Sequence, residues 1–421
     1  MKNQIEHRIE HIIKYEKYVK SFVEETFNSE KVFKNIFQKQ TKSKNLFPLK
    51  NILFGVKDVI NVDGYPTKCG SDLPHKLFDG EQATCVSRLL KAGATFTGKT
   101  VTAEFAISDP GETRNPRNLE HTPGGSSSGS AASVAAGFCD IAIGTQTCGS
   151  VIRPAGYCGV VGYKPSFGRI DKDGVIPFSP SIDHVGLLAK DLTVLEEVAP
   201  FVVNSWNTET RLKGEKLIIG IPDGSYISLA KKEVADQYFE CVRKLEDSFI
   251  LKKIKLVQNI TKHNQDLDQI ILAELYRVHS KWFHKYKELY KPLSRESIEI
   301  GKTISEKKLG KLLDQAQKFH FEMISLIQEH NISAWITPVA PYLAPKGLQN
   351  TGDFSMNSIW TYSGLPVITI PTGVNQINLP FAIQIVGQFG KDEELLYLSK
   401  FIEKIIGAKE LLNQWNLNNN K

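Results

Sequence analysis

Short apolar runs alternate with helical patterns from residue 50 onward. The segment NILFGVKDVINVDG predicts a strand and a turn, EQATCVSRLLKAG predicts a helix that ends at Gly93, and ATFTGKTV predicts a second strand. Farther along, SAASVAAG predicts a helix of small residues ending at Gly137, and FCDIAIG predicts another strand. The order strand, helix, strand is typical of an α/β sheet. We therefore expect an α/β body over residues 50–200.

The rest of the chain divides into three segments by its pattern. Residues 1–45 carry Ile and Val at helical spacing among Lys and Glu, which predicts an N-terminal helical segment packed on the body; a helix on a membrane surface is the alternative. Residues 205–330 are rich in Lys, Glu, His and Tyr and are predicted to be mostly helical. Strand patterns return from residue 332 in a segment, 332–405, that rejoins the core sheet, and the helix DEELLYLSKFIEKII follows these strands. We interpret residues 1–421 as one domain with a helical insertion.

Composition and charge exclude several classes of function. The 52 basic and 46 acidic residues give a net charge of +6, and the lysines are scattered, so nucleic-acid binding is not expected. The six cysteines form no CxxC pair, and no Cys/His cluster has metal-ligand spacing, so neither a metal nor a cofactor is expected. No signal peptide is recognised and no stretch approaches the ~20 apolar residues of a membrane span. These features predict a cytoplasmic protein.

The first segment with candidate chemistry is GVKD, in which Lys57 is flanked by apolar residues. Burying an ammonium costs several kcal/mol unless it is paired or neutral. A lysine at the edge of a strand, with its charge extended to solvent, is the structural interpretation. A general base with a lowered pKa is the functional interpretation.

Two further segments contain serines among glycines. TPGGSSSGSAASVAAG includes Ser126; as a linker it would be short, and a phosphate loop would need a Lys and a Ser or Thr after its last glycine, which are absent. In GTQTCGS, Ser150 follows Cys148 and Gly149, where converging backbone N–H groups would suit an oxyanion hole; a tight turn is the structural alternative.

Together the three segments resemble the amidase signature family. Its core corresponds here to GGSSSGSAASVAAG, GTQTCGSVIRPA and GVVGYKPSFGRI, and the spacings among Lys57, Ser126 and Ser150 agree with the family. The resemblance covers about residues 50–195 and 332–405. It implies an α/β fold with a mixed central sheet flanked by helices, in which residues 50–200 form the catalytic core.

The resemblance also implies a role for each matching residue. Ser150 corresponds to the nucleophile, Ser126 to a bridging serine that follows a cis peptide, and Lys57 to the base. The backbone N–H groups that correspond to the oxyanion hole are those of Thr147, Cys148, Gly149 and Ser150.

Two departures from the family pattern concern the oxyanion segment. Gln146 and Cys148 stand where many members have Asp and Gly, and Arg153 directly precedes Pro154 where many members have one residue between them. These departures leave the catalytic assignment unchanged but weaken inference about the substrate.

The expected activity is hydrolysis of a carboxamide bond in a small-molecule or short-chain substrate, through an acyl-enzyme. An amide synthase or transacylase using the same acyl-enzyme, and a glutaminase of the amidotransferase type, are the alternatives. The identity of the amide stays open, as does a homodimer as the assembled form. Residues 205–330 are expected to form part of the pocket.

Overall fold

A computed structural model of the chain describes residues 2–24, 26–40, 47–107, 109–210, 217–256 and 260–407. Its strands are β1 Leu53–Lys57, β2 Thr95–Thr100, β3 Ile141–Gln146, β4 Val161–Lys164, β5 His184–Ala189, β6 Ile218–Asp223, β7 Ile250–Lys255, β8 Ala334–Pro338, β9 Val367–Val374 and β10 Pro380–Gly387. Its α-helices are α1 Lys2–Val19, α2 Ser29–Gln40, α3 Thr84–Lys91, α4 Ser128–Ala135, α5 Ile152–Cys158, α6 Leu192–Val202, α7 Lys232–Lys244, α8 Ile260–Tyr286, α9 Pro292–Lys302, α10 Glu306–Glu329, α11 Ser355–Tyr362 and α12 Asp392–Ile406.

All ten of these strands belong to one sheet, in the order β2-β1-β3-β5-β4-β9-β10-β8-β6-β7. Strand β1 runs parallel to both β2 and β3, whereas β5, β4, β9 and β10 form antiparallel pairs in the middle of the sheet. Strands β3, β4 and β5 are buried along their whole length, as expected for a sheet covered on both faces. The predicted fold class, a mixed α/β sheet flanked by helices, is confirmed.

Helix α4 consists of small residues, and neighbouring segments pack closely against it. Every residue of α4 is buried. A Cβ atom added at Gly129 would lie 2.2 Å from the carbonyl oxygen of Ser21 and 2.3 Å from the nitrogen of Val101, so only glycine fits there. The backbone N–H of Gly129 donates to the carbonyl of Val101 at 2.9 Å, which ties α4 to the segment after β2.

Helix α1 packs against this same face of the molecule. Ile12 and Val19 are fully buried in an apolar cluster with Phe22 and Phe138. Over the described ranges, no helix combines the length and the apolar character needed to cross a membrane.

The segment 205–330 contributes strands as well as helices. Strand β6 pairs parallel with β8 and with β7, so the segment extends the sheet at one edge. Helix α8 packs on α9 and α10, which form the helical part. Strands β6 and β7 were not identified from the sequence, and the division of the chain into core, insertion and return segments stays a prediction.

Candidate active site

Lys57 lies at the end of β1, between two parallel neighbours, and its side chain is completely buried. Its Nζ atom donates to the Oγ of Ser126 at 2.8 Å and to the Oγ1 of Thr145 at 2.8 Å. Burial lowers the pKa of Lys57 from 10.5 to about 7, while the charge of Asp183 raises it. A lysine in this environment exchanges its proton near neutral pH. The interpretation of Lys57 as an exposed edge-strand lysine is wrong.

Ser126 precedes α4, and the Gly125–Ser126 peptide bond is cis. The carbonyl oxygen of Ser126 accepts a hydrogen bond from the N–H of Ala103 at 3.1 Å. On the preceding residue, the carbonyl of Gly125 accepts from the Nη2 of the buried Arg153 at 2.7 Å. A side-chain contact and a main-chain contact therefore hold the carbonyls on either side of Ser126, and the Ser126 hydroxyl accepts from Lys57.

Ser150 ends the loop that connects β3 to α5, and 8% of its surface is exposed. Its carbonyl oxygen accepts from the N–H of Ser127 at 3.3 Å, which brings the loop against the segment that begins α4. In the part of the chain that the structure describes, the hydroxyl of Ser126 is hydrogen-bonded to Lys57 but not to that of Ser150. The expected bond between the two serine side chains is thus not formed in this structure.

The side chains of Gln146 and Thr361 form hydrogen bonds with the loop between β3 and α5. The Oε1 of Gln146 accepts from the N–H groups of Val151 and Ile152, at 2.8 and 2.9 Å. Its Nε2 donates to the Oγ1 of Thr361 at 2.9 Å, and that hydroxyl donates to the carbonyl of Cys148. The carbonyl of Cys148 is thereby bonded to helix α11, which carries Thr361.

Gly149 lies in close contact with Asn357 of helix α11. A Cβ atom there would lie 2.4 Å from the Oδ1 of Asn357. Asn357 cannot withdraw easily, because its Nδ2 donates to the carbonyl of Val339 at 2.9 Å and to the Oε1 of Gln384 at 3.1 Å. The loop therefore packs directly on α11, and glycine is required for the approach.

Thr147 and Cys148 differ in their surroundings. The Thr147 hydroxyl donates to the Oδ1 of the buried Asp183 at 2.7 Å. Cys148 is half-buried, and burial raises the pKa of its thiol, so the thiol is protonated at neutral pH.

A cavity of about 260 Å³ lies beside these groups. Its lining includes Thr145 and Asp183 together with Ala106 and apolar residues of the segment 175–180. From the helical part, Glu274 on α8 contacts this wall, accepting from the Ser179 hydroxyl at 2.6 Å. The described side chains form no group of three or more His, Cys, Asp or Glu that could hold a metal ion.

Three polar residues next to the predicted catalytic groups were missed from the sequence. Thr145 and Asp183 could have been noticed, since each is a polar residue in or next to a buried strand. Thr361 had no such signal, because its contact joins residues far apart in the chain.

Comparison with known proteins places the chain in a family. The family model for Amidase matches residues 4–396. The chain is 32% identical, over 414 residues, to the A component of the glutamyl-tRNA(Gln) amidotransferase of Methanococcus maripaludis, covering 88% of this chain and 92% of that protein. It is 28% identical to the corresponding protein of Lachnospira eligens over 422 residues, 86% of each chain.

Solved structures agree with this placement. A crystal structure of an amidase superposes with a TM-score of 0.85 at 25% identity, covering 95% of each chain. The peptide amidase of Stenotrophomonas maltophilia, at 21% identity, shares the fold with a TM-score of 0.82, over 97% of this chain and 94% of that one. The chain belongs to the amidase signature family.

Proposed function

We propose that the protein hydrolyses a carboxamide bond of a small-molecule or short-chain substrate through an acyl-enzyme on Ser150. The observation that carries the proposal is the contact between the buried Nζ of Lys57 and the Oγ of Ser126. A lysine whose pKa is lowered to about 7 by burial is available as a neutral base at physiological pH. The loop of Ser150 adjoins this pair through the bond between Ser127 and the Ser150 carbonyl.

The proposed reaction begins with proton transfer. Neutral Lys57 takes the proton of the Ser126 hydroxyl, Ser126 takes that of Ser150, and the Ser150 oxygen attacks the amide carbon. The carbonyl π electrons move to the oxygen, and we assign its stabilisation to the N–H groups of Thr147, Cys148, Gly149 and Ser150. Collapse of this intermediate breaks the C–N bond, and the proton returns through the serines to the leaving amine. Water then attacks the acyl group by the same route and releases the acid.

One rearrangement is required before attack. The hydroxyls of Ser126 and Ser150 must come within hydrogen-bond distance, because among the described residues the Ser126 hydroxyl bonds to Lys57 and not to Ser150. Catalytic hydrogen bonds commonly tighten only when substrate is bound.

A fluorophosphonate probe tests the nucleophile. We expect the probe to add to Ser150, as detected by peptide mass spectrometry, and Ser150→Ala to abolish both labelling and release of ammonia or amine from a panel of amides. Ser87→Ala, on α3, serves as the control and should keep both. Folded parent protein that is never labelled at Ser150 would contradict the proposal and also the transacylase alternative, since both need this acyl-enzyme.

A glutaminase that supplies ammonia to a partner is the second candidate. It is favoured by the identity of 32% to the A component of a glutamyl-tRNA(Gln) amidotransferase. Glutamine and simple amides should be compared with the isolated chain. Turnover of simple amides without turnover of glutamine supports the amidohydrolase, and the reverse preference supports the glutaminase.

A further inference from the structure

Asp183 is a buried carboxylate that joins two segments of the candidate active site. Only 7% of its surface is exposed. Its Oδ1 accepts from the hydroxyl of Thr147 at 2.7 Å, and its Oδ2 accepts from the N–H groups of Phe178 and Ser179, at 2.8 and 2.9 Å. One carboxylate thus connects the predicted oxyanion loop to the wall of the neighbouring cavity.

The sheet brings Asp183 to this position. In the antiparallel pair of β3 and β5, Gln146 lies opposite His184. The next residues outward are Thr147 on one strand and Asp183 on the other, at the point where both strands leave the ladder. Beyond the last paired residues, the two strands are therefore joined by the side-chain hydrogen bond from Thr147 to Asp183.

Asp183 also lines a cavity together with a hydrogen-bond partner of Lys57. Asp183 and Thr145 line one cavity, and Thr145 is the second hydrogen-bond partner of the Lys57 amine. Two described groups act electrostatically on Lys57, namely Asp183 and Cys69. Burial raises the pKa of Cys69 well above its ordinary value, so this thiol is neutral near pH 7 and the charge comes from Asp183.

Asp183 is itself ionised at neutral pH. Burial raises its pKa to about 6, while its hydrogen bonds and the charge of Lys172 oppose this. Above about pH 6 the carboxylate is negative and favours the charged form of Lys57. Burial and this carboxylate act in opposite directions on the pKa of Lys57, since Asp183 makes Lys57 more basic than burial alone would allow.

We propose that Asp183 is a positioning residue of the proposed amidase: it fixes Thr147 of the oxyanion loop and places a carboxylate on the cavity wall that Thr145, a partner of Lys57, also lines. The inference rests on the proposed function, because it assigns the order of the loop and the strength of the base to one side chain. The hydrogen bonds of Asp183 go to Thr147, Phe178 and Ser179, so its effect on the reaction would pass through Thr147 and Lys57.

The test compares Asp183→Asn with Thr147→Val. Asn can accept the two N–H groups with its oxygen and donate to the Thr147 hydroxyl, so geometry is kept while the charge is lost. We expect the acid limb of kcat/KM in Asp183→Asn to move to lower pH by at least about 0.5 of a unit, a threefold change in proton concentration. Thr147→Val keeps the carboxylate but removes the hydrogen bond that lowers the pKa of Asp183, so this variant is compared by rate, with kcat expected to fall and KM to change little.

Controls separate the failure of this inference from the failure of the proposed function. Asp191→Asn removes a carboxylate that caps α6 away from the site, and it should leave kcat and the acid limb unchanged. Probe labelling of Ser150 in Asp183→Asn, with an acid limb at the parent position, would overturn the inference and leave the function standing. If Asp183→Asn does not fold, Thr147→Val and Thr147→Ser decide: a full kcat in the valine variant overturns the positioning role, and loss in valine with rescue by serine supports it.

Discussion

Replacing Lys57 with Met removes the amine from the proposed site and keeps most of the side-chain volume. Burial lowers the pKa of Lys57 from 10.5 to about 7, and one pKa unit is worth about 1.4 kcal/mol, so the charged form costs ~5 kcal/mol more in the fold than in the unfolded chain. Against this, the hydroxyls of Ser126 and Thr145 lose a partner, at ~1–3 kcal/mol each. These effects nearly offset each other, and we expect a melting temperature close to the parent value at pH 7.

The sign of the pH dependence follows from the same pKa. Between about pH 7 and pH 10.5 the unfolded chain binds the proton that folded Lys57 has lost, so parent stability rises with pH across this window. Lys57→Met lacks this contribution. The pH dependence of activity has the same origin, since kcat/KM of the parent should rise through about pH 7 as the neutral amine forms. A positioned general base contributes ~10²–10⁴-fold, so turnover of the variant should fall by at least ~10²-fold.

Lys164 provides the matched control. It is also fully buried, and burial lowers its pKa to about 7 as well. Its Nζ, however, donates to the carbonyls of Pro165 and Leu365 at 3.0 and 2.6 Å. Lys164→Met should therefore keep its turnover and its acid limb. The assay is kcat/KM from about pH 5 to about pH 9, with circular dichroism and a melting curve for each variant.

Two results would refute this reasoning. Full turnover of Lys57→Met with the parent pH profile would mean that the base lies elsewhere. Equal losses of turnover in both lysine variants, at parent-like stability, would mean that the contact with Ser126 does not distinguish Lys57 from Lys164 in catalysis.

Three further changes test the loop and the helix beside it. Ser126→Ala should lower kcat but leave measurable turnover, since a water molecule can occupy the place of the hydroxyl; steady-state rates check this. Thr361→Val removes the donor to the Cys148 carbonyl and should lower kcat by up to ~10²-fold with little change in KM, and Thr361→Ser should restore it. Gly129→Ala should lower the melting temperature sharply because its Cβ meets backbone atoms at 2.2 Å, whereas Gly310→Ala, with nothing within 4 Å, should stabilise helix α10 by ~0.5–1 kcal/mol.

Local sequence patterns were sufficient for the elements under the candidate site. The run NILFGVKDV contains β1, and SAASVAAG contains most of α4, because apolar periodicity and flanking glycines act within a few residues. The family resemblance then supplied Lys57 and the two serines, which local patterns alone left ambiguous between chemistry and ordinary turns.

Strands β6 and β7 show where local patterns fail. The β7 sequence ILKKIK carries three lysines, and most of its positions are exposed, because it is the edge strand of the sheet. Lysines on an edge strand prevent its pairing with another chain, and here they also interrupt the alternation of apolar and polar residues that identifies a strand. Its parallel partner β6 is separated from it by α7, so the pairing depends on a crossover that periodicity does not reveal.

Three lysines are fully buried in the described part of the chain, and their partners distinguish them. Lys99 forms an ion pair with Asp58 at 2.9 Å, and Lys164 donates to carbonyl oxygens, which cannot supply a proton. Lys57 contacts the hydroxyls of Ser126 and Thr145, which accept from an ammonium but can also donate to a neutral amine. Lys57 can therefore lose its proton without leaving a buried lone pair unsatisfied, and this property of its partners, more than its lowered pKa, supports its assignment as the base.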